Sequence, residues 1–93
     1  MEFDWDPKKA AANLRKHQVS FAEAATVLND PLSVTAHDPD HSWEEGRHIT
    51  VGLSNRFRPL IVSHADHGDR VRIISARQLT RGEREAYEEE TEK

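Results

Sequence analysis

Four short apolar runs lie between Leu32 and Ala76, and turn or loop chemistry alone separates them. Leu32–Ala36 is a candidate strand. His48–Leu53 alternates Ile49, Val51 and Leu53 toward one side, the signature of a half-buried strand. Pro59–His64 is a third run, reached through a turn at Asn55–Arg58. Arg70–Ala76 is the fourth, reached through Asp66-His67-Gly68-Asp69, in which Gly68 can take a positive φ. The ten residues His37–Gly46 are polar, carry Pro39 and Gly46, and read as a loop. Strands that follow one another in this way pair as hairpins.

Helix signals flank this block. Phe3 and Trp5 alternate with Glu2 and Asp4 as a short first strand. Asp6-Pro7 then opens a helix over Lys8–His17, with Asp as the cap and Pro at the first helical position. Ser20-Phe21-Ala22-Glu23 has the spacing of a capping box and opens a second helix to about Asn29, which Asp30-Pro31 ends. Thr80-Arg81-Gly82-Glu83 is another such box and opens a C-terminal helix to about Glu89. The order β-α-α-β-β-β-β-α predicts an α+β domain: a small, mainly antiparallel sheet, two N-terminal helices covering one face, and one C-terminal helix. Ninety-three residues suffice for a single domain, 1–93, with one modest core. The absence of cysteine excludes disulfides, thiolate metal sites and thiol nucleophiles, and suits a reducing cytoplasm. The N-terminus lacks the basic and apolar regions of a signal peptide, and no apolar run is long enough to span a membrane.

The net charge of −4 argues against nucleic acid until its distribution is considered. From Arg47 to Arg84 there are eight arginines against Asp66, Asp69 and Glu83, a local excess of five, and an acidic tail begins at Glu85. Arginine is the side chain suited to bidentate phosphate contacts. Strict alternation places Val71, Ile73 and Ser75 on one side of the last strand, with Arg70, Arg72, Ile74 and Ala76 on the other. Arg70 and Arg72 then project together about 7 Å apart, close to the spacing of successive phosphates. Arg77 ends that strand, while Arg81 and Arg84 begin the last helix. The same arginines would equally serve as a solvated, ion-paired face. Tyr87 follows Arg84 by three residues and shares its side of the helix. It is suited to base stacking, to proton transfer, or to anchoring the helix on the sheet. His17, after Arg15 and Lys16, is either a favourable helix terminator or an acid–base residue. His64 is a second histidine able to line a site. His37-Asp38-Pro39-Asp40-His41 with His48 looks like a metal cluster, but Pro39 prevents the helix that would align His37 and His41. Glu44 and Glu45 are placed to pair with Arg47.

Two segments resemble one known family. Phe3-Asp4-Trp5-Asp6-Pro7-Lys8-Lys9, with Asn13-Leu14-Arg15-Lys16-His17-Gln18-Val19-Ser20-Phe21-Ala22-Glu23-Ala24, resembles the opening of the BrnT toxins. Ile73-Ile74-Ser75-Ala76-Arg77, followed by Arg81-Gly82-Glu83-Arg84-Glu85-Ala86-Tyr87, resembles their close. The resemblance implies a RelE-like fold and an endoribonuclease toxin that cleaves RNA and arrests growth. It also implies a BrnA-type antitoxin as partner, contact with DNA only through that antitoxin, no membrane association, and no metal or organic cofactor. On this view Arg72 and Arg77 hold phosphate, His17 or Glu83 is the base, and Tyr87 stacks or donates a proton. Lys16, Arg58, Arg70, Arg81 and Arg84 supply further RNA contacts. Two positions depart from the family's habit: Gln18 stands where Gly is frequent, and Gly82 where a basic residue is. Two other functions compete with this one. One is a non-catalytic module that docks RNA or protein on the Arg-rich face; the other is a metal-dependent hydrolase built on the His37–His48 loop.

Overall fold

Side-chain chemistry sets the three helix starts. A computed structural model describes residues 2–38 and 46–91. Its elements are β1 (Glu2–Asp4), α1 (Pro7–His17), α2 (Phe21–Val27), β2 (Val34–His37), β3 (Arg47–Leu53), β4 (Pro59–His67), β5 (Arg70–Gln78) and α3 (Arg81–Thr91). Asp6 caps α1 by accepting the Lys8 N–H at 2.9 Å, with Pro7 in the first turn. Ser20 caps α2 by accepting the Glu23 N–H at 3.1 Å. The Glu23 carboxylate does not return the contact, so this box is half formed; that carboxylate turns to Ser54 and Arg58 instead. At α3 both halves form: Glu83 N–H donates to Thr80 Oγ1 at 3.2 Å, and Thr80 N–H donates to Glu83 Oε1 at 2.9 Å.

The five strands form one sheet in the order β1-β5-β4-β3-β2. All neighbours are antiparallel except β1, which lies parallel to β5. β4 and β5 run further than their apolar cores, because the ladder continues to His67↔Arg70 at one end and to Leu60↔Gln78 at the other. The connecting turn narrows to Gly68-Asp69, with Gly68 at φ 68°. β2 starts at Val34 rather than Leu32, since Asp30 Oδ1 accepts the Leu32 N–H at 3.0 Å and holds that residue in a turn.

Helices α1 and α2 cover one face, as the periodicity predicts. Val19, Phe21, Ala24 and Val27 bury themselves against Leu60, Val62, Ile73 and Ala76, and Trp5 meets Phe21 edge-on at 6.1 Å. Strict alternation fails in β5. The register passes from Ser63↔Ser75 to His64↔Ile73, so Ile74 is an extra residue in a bulge. Ala76 consequently joins Ile73 in the core, and Ser75 is carried to the opposite, solvent-facing side. That corrects the face assigned to both residues.

β1 covers only the first residues of β5 and leaves the later edge open. The Asn13 amide from α1 occupies it, donating to Ala76 O at 2.9 Å and accepting from Ala76 N–H at 3.1 Å. The same NH₂ donates to Val19 O at 2.9 Å. The last turn of α1 is thereby fixed beside the end of β5. No helix among the described residues is long and apolar enough to cross a membrane.

Candidate active site

Three chain segments meet at that edge: the last turn of α1, the end of β5 and the first turn of α3. They enclose a hollow of about 640 Å³. Its floor is the outer sheet face, with Ile49 from β3, Ile61 and Ser63 from β4, and Ser75 from β5. Lys16 and His17 from α1, Arg77 from β5, Glu83 from α3 and Asp38, just past β2, complete its lining. The hollow therefore combines a floor of two isoleucines and two serines with cations, an imidazole and carboxylates at the rim. Those are the ingredients of acid–base chemistry beside an anionic group.

Gln18 explains how His17 comes to end its helix here. Its φ of 55° is left-handed, and its N–H closes the turn onto Leu14 O at 2.9 Å. The chain reverses at once, leaving Lys16 and His17 at an exposed end. Arg77 is held from the opposite side. Its two terminal nitrogens donate to Glu83 Oε1 at 2.8 Å and Oε2 at 3.0 Å, a fork-to-fork pair. The Arg77 bond, helped by the Thr80 N–H, pulls the Glu83 pKa down to about 2. The same contact raises that of Arg77. Glu83 is a fixed anion that orients Arg77; so weak a base is a poor proton acceptor.

The structure gathers Lys16, His17, Arg77 and Glu83 and sends the other expected residues elsewhere. Arg72 Nε lies 3.2 Å from Asp4 Oδ1 on β1. Arg70 Nε lies 3.5 Å from Glu2 Oε2. Neither Arg72 nor Arg70 lines the hollow. Arg58 folds onto α2: it donates from Nε to Glu23 Oε2 at 2.9 Å, contacts Glu23 Oε1 closely, and donates to Gln18 O at 3.0 Å. The Arg58 bond lowers the Glu23 pKa even though burial opposes the shift. Arg81 and Arg84 pair along α3 with Glu85 and Glu88. Tyr87 faces a neighbouring apolar groove of about 310 Å³ with Val34, Val51 and Leu79, sharing Ile61 and Glu83 with the hollow. Burial, then the charge of Asp30, raises its pKa; the position fits an anchor of α3 on the sheet.

His64 belongs to the helix-covered face. Its Nε2 lies 2.7 Å from Thr50 Oγ1, and its ring stacks on His48 at 5.8 Å. Burial, reinforced by His48, lowers its pKa. His37 and His48 are cross-strand neighbours on β2 and β3. Among the described residues no group of three metal-ligating side chains is placed to hold an ion. Asp40, His41, Glu44 and Glu45 lie outside the described residues. Sequence reasoning gave Ser63 and Ser75 no role in the site and set Asp38 in a metal cluster instead of in the hollow with His17. The bulge hid Ser75, and no periodicity marks Asp38.

A sequence profile described as the ribonuclease toxin BrnT of type II toxin–antitoxin systems matches residues 5–83. No curated protein sequence matches the chain. The 1.1 Å crystal structure of the Brucella abortus ribonuclease toxin BrnT is similar in fold, with a TM-score of 0.69 at 21% identity. The likeness covers 87% of this chain and 99% of that one.

Proposed function

The chain belongs to the BrnT family of ribonuclease toxins of type II toxin–antitoxin systems, and on that premise we propose that the hollow between His17 and Arg77 is where it cleaves RNA. The observation that carries the proposal is the convergence of an imidazole and a preoriented guanidinium on one open, partly apolar hollow. In this reading His17 takes the proton of a ribose 2′-OH, since imidazole is the side chain able to accept and release a proton near neutral pH. The 2′-oxygen attacks the adjacent phosphorus, and the bond to the 5′-oxygen breaks. Arg77 steadies the charge that builds on the phosphate oxygens, already oriented by Glu83. The Lys16 ammonium offsets charge on the leaving oxygen, which takes its proton from water. In this reading no step calls on a metal. Arg72, held by Asp4, acts at most as a distant contact, and Tyr87 supports α3.

The partner we propose is a BrnA-type antitoxin, with contact to DNA only through it, and the setting is the cytoplasm. The apolar groove beside Tyr87 supports such a partner, because a chain seated there would also cover the rim of the hollow. The test is cleavage of single-stranded RNA by the purified chain in excess chelator. His17→Ala should lower kcat about 10²- to 10⁴-fold, and Arg77→Ala about 10²- to 10³-fold. Cleavage that survives both substitutions would place the chemistry elsewhere, and loss of activity in chelator would refute the metal-free reading. An RNA that is shifted but intact would favour a binding module instead.

A further inference from the structure

The turn between β3 and β4 carries a side chain that folding does not explain. Phe57 is 82% exposed, and its φ is 61°. That left-handed region is unfavourable for a bulky L-residue and is normally filled by glycine, asparagine or aspartate. The ring is therefore neither buried nor on relaxed backbone, yet the turn that carries it is firmly built. Phe57 N–H donates to Ser54 O, and Ser54 N–H to Arg58 O, both at 2.9 Å. Ser54 Oγ accepts the Arg56 and Arg58 N–H groups and donates to the buried Glu23 carboxylate at 2.6 Å. Asn55 N–H donates to Thr26 Oγ1 at 2.9 Å. The tip is clamped on α2, and the ring is held outward.

Its position is as informative as its exposure. Ile61, four residues on, lines the hollow and pairs with Arg77, so the Cα of Phe57 is at most about 14 Å from that of Ile61. Arg58 reaches Gln18 O, next to His17. The Phe57 tip thus stands at the same end of the sheet as the hollow. Arg56 beside it keeps 69% of its side chain exposed while one terminal nitrogen lies 3.8 Å from Glu23 Oε1.

We propose that Phe57 is a substrate-positioning residue that stacks an unpaired base flanking the cleaved bond, with Arg56 against the neighbouring phosphate. The proposal rests on the ribonuclease reading above and adds a preference for single-stranded over duplex RNA, because only an unpaired base offers its face to the ring. An aromatic held outward beside a cation, at the end of the sheet that carries the hollow, suits a nucleic-acid strand: the ring stacks a base and the guanidinium meets a phosphate. It is also tolerant of sequence, since every base has a face to stack.

The test uses the full chain and a short unstructured RNA of mixed sequence, labelled so that cleavage is read by fluorescence. Phe57→Gly removes the ring and suits the backbone. It should raise KM roughly 5- to 100-fold, leave kcat within about two-fold, and raise Tm by a few degrees. Phe57→Trp should keep a near-native KM. Moving an abasic site along the RNA should weaken wild-type binding at one position and leave Phe57→Gly indifferent there. An unchanged KM in Phe57→Gly overturns the proposal. If that variant instead escapes neutralisation by the antitoxin, the ring belongs to the protein interface. A wild-type chain that cleaves no RNA overturns the ribonuclease reading, and this inference with it.

Discussion

Replacing Glu83 with Gln tests how the hollow is built. The carboxylate accepts from both terminal nitrogens of Arg77 and from the Thr80 N–H. Its pKa is about 2 in the folded chain against an ordinary 4.5. At about 1.36 kcal/mol per pH unit, that gap sets a ceiling of about 3.4 kcal/mol. Both side chains are 39% exposed, so solvent screening brings the expected loss down to about 1–1.5 kcal/mol. The Gln carbonyl still accepts the Thr80 N–H, which isolates the charge from the cap. Because the folded-state pKa is the lower one, the stabilisation is complete above pH 4.5 and is lost as the pH falls from there toward about 2. Urea denaturation of both proteins across this range reads the difference directly. The gap should be widest near neutrality and close to zero near pH 2. A gap of the same size at every pH would refute the assignment of the stabilisation to an ionised pair.

Further outcomes follow from the same contacts. Gln18→Gly should stabilise the chain by about 0.5–1 kcal/mol in thermal melts, because glycine takes the left-handed cap without a Cβ penalty. Glu23→Ala should cost about 3 kcal/mol in urea denaturation, since it breaks a pair whose carboxylate side chain is 4% exposed. Asn13→Ala should cost about 2 kcal/mol, leaving the buried N–H and C=O of Ala76 without their partner. It should also lower kcat by loosening the last turn of α1. In RNA cleavage, log KM should rise with log salt at a slope of about 2.1, the value for three phosphate contacts by Lys16, Arg77 and Arg56. Five free cations would give about 3.5.

The fold was legible where local chemistry and global packing agree. Asp6-Pro7 and Thr80-Glu83 announce helix starts that tertiary contacts leave intact. Ser20-Glu23 announces one too, but the sequence cannot show that Glu23 finds Arg58, 35 residues away, a better partner than its own helix terminus. The bulge at Ile74 is similarly invisible, because an apolar residue suits either face and only the β4 register reveals the extra one. Its consequence reaches the hollow. Without that extra residue Ser75 would face the core, and Arg77 would point with it, away from His17.

The basic segment was legible as composition and misleading as electrostatics. The excess of five between Arg47 and Arg84 counts only charges within that stretch. The fold brings most of the compensating carboxylates from outside it: Glu2 and Asp4 on β1, Glu23 on α2, and Glu85 and Glu88 further along α3. Parallel pairing of β1 with β5 sets Glu2 opposite Arg70 and Asp4 opposite Arg72, so the strand that seemed most cationic is the one the sheet neutralises. A guanidinium paired in this way offers less net charge to a phosphate, but a better-defined direction. Arg77 is the case where direction matters, because its carboxylate partner lines the same hollow as His17. On the proposed reading the functional surface is where a fixed cation and an imidazole line one open hollow, and the density of arginine along the chain does not locate it.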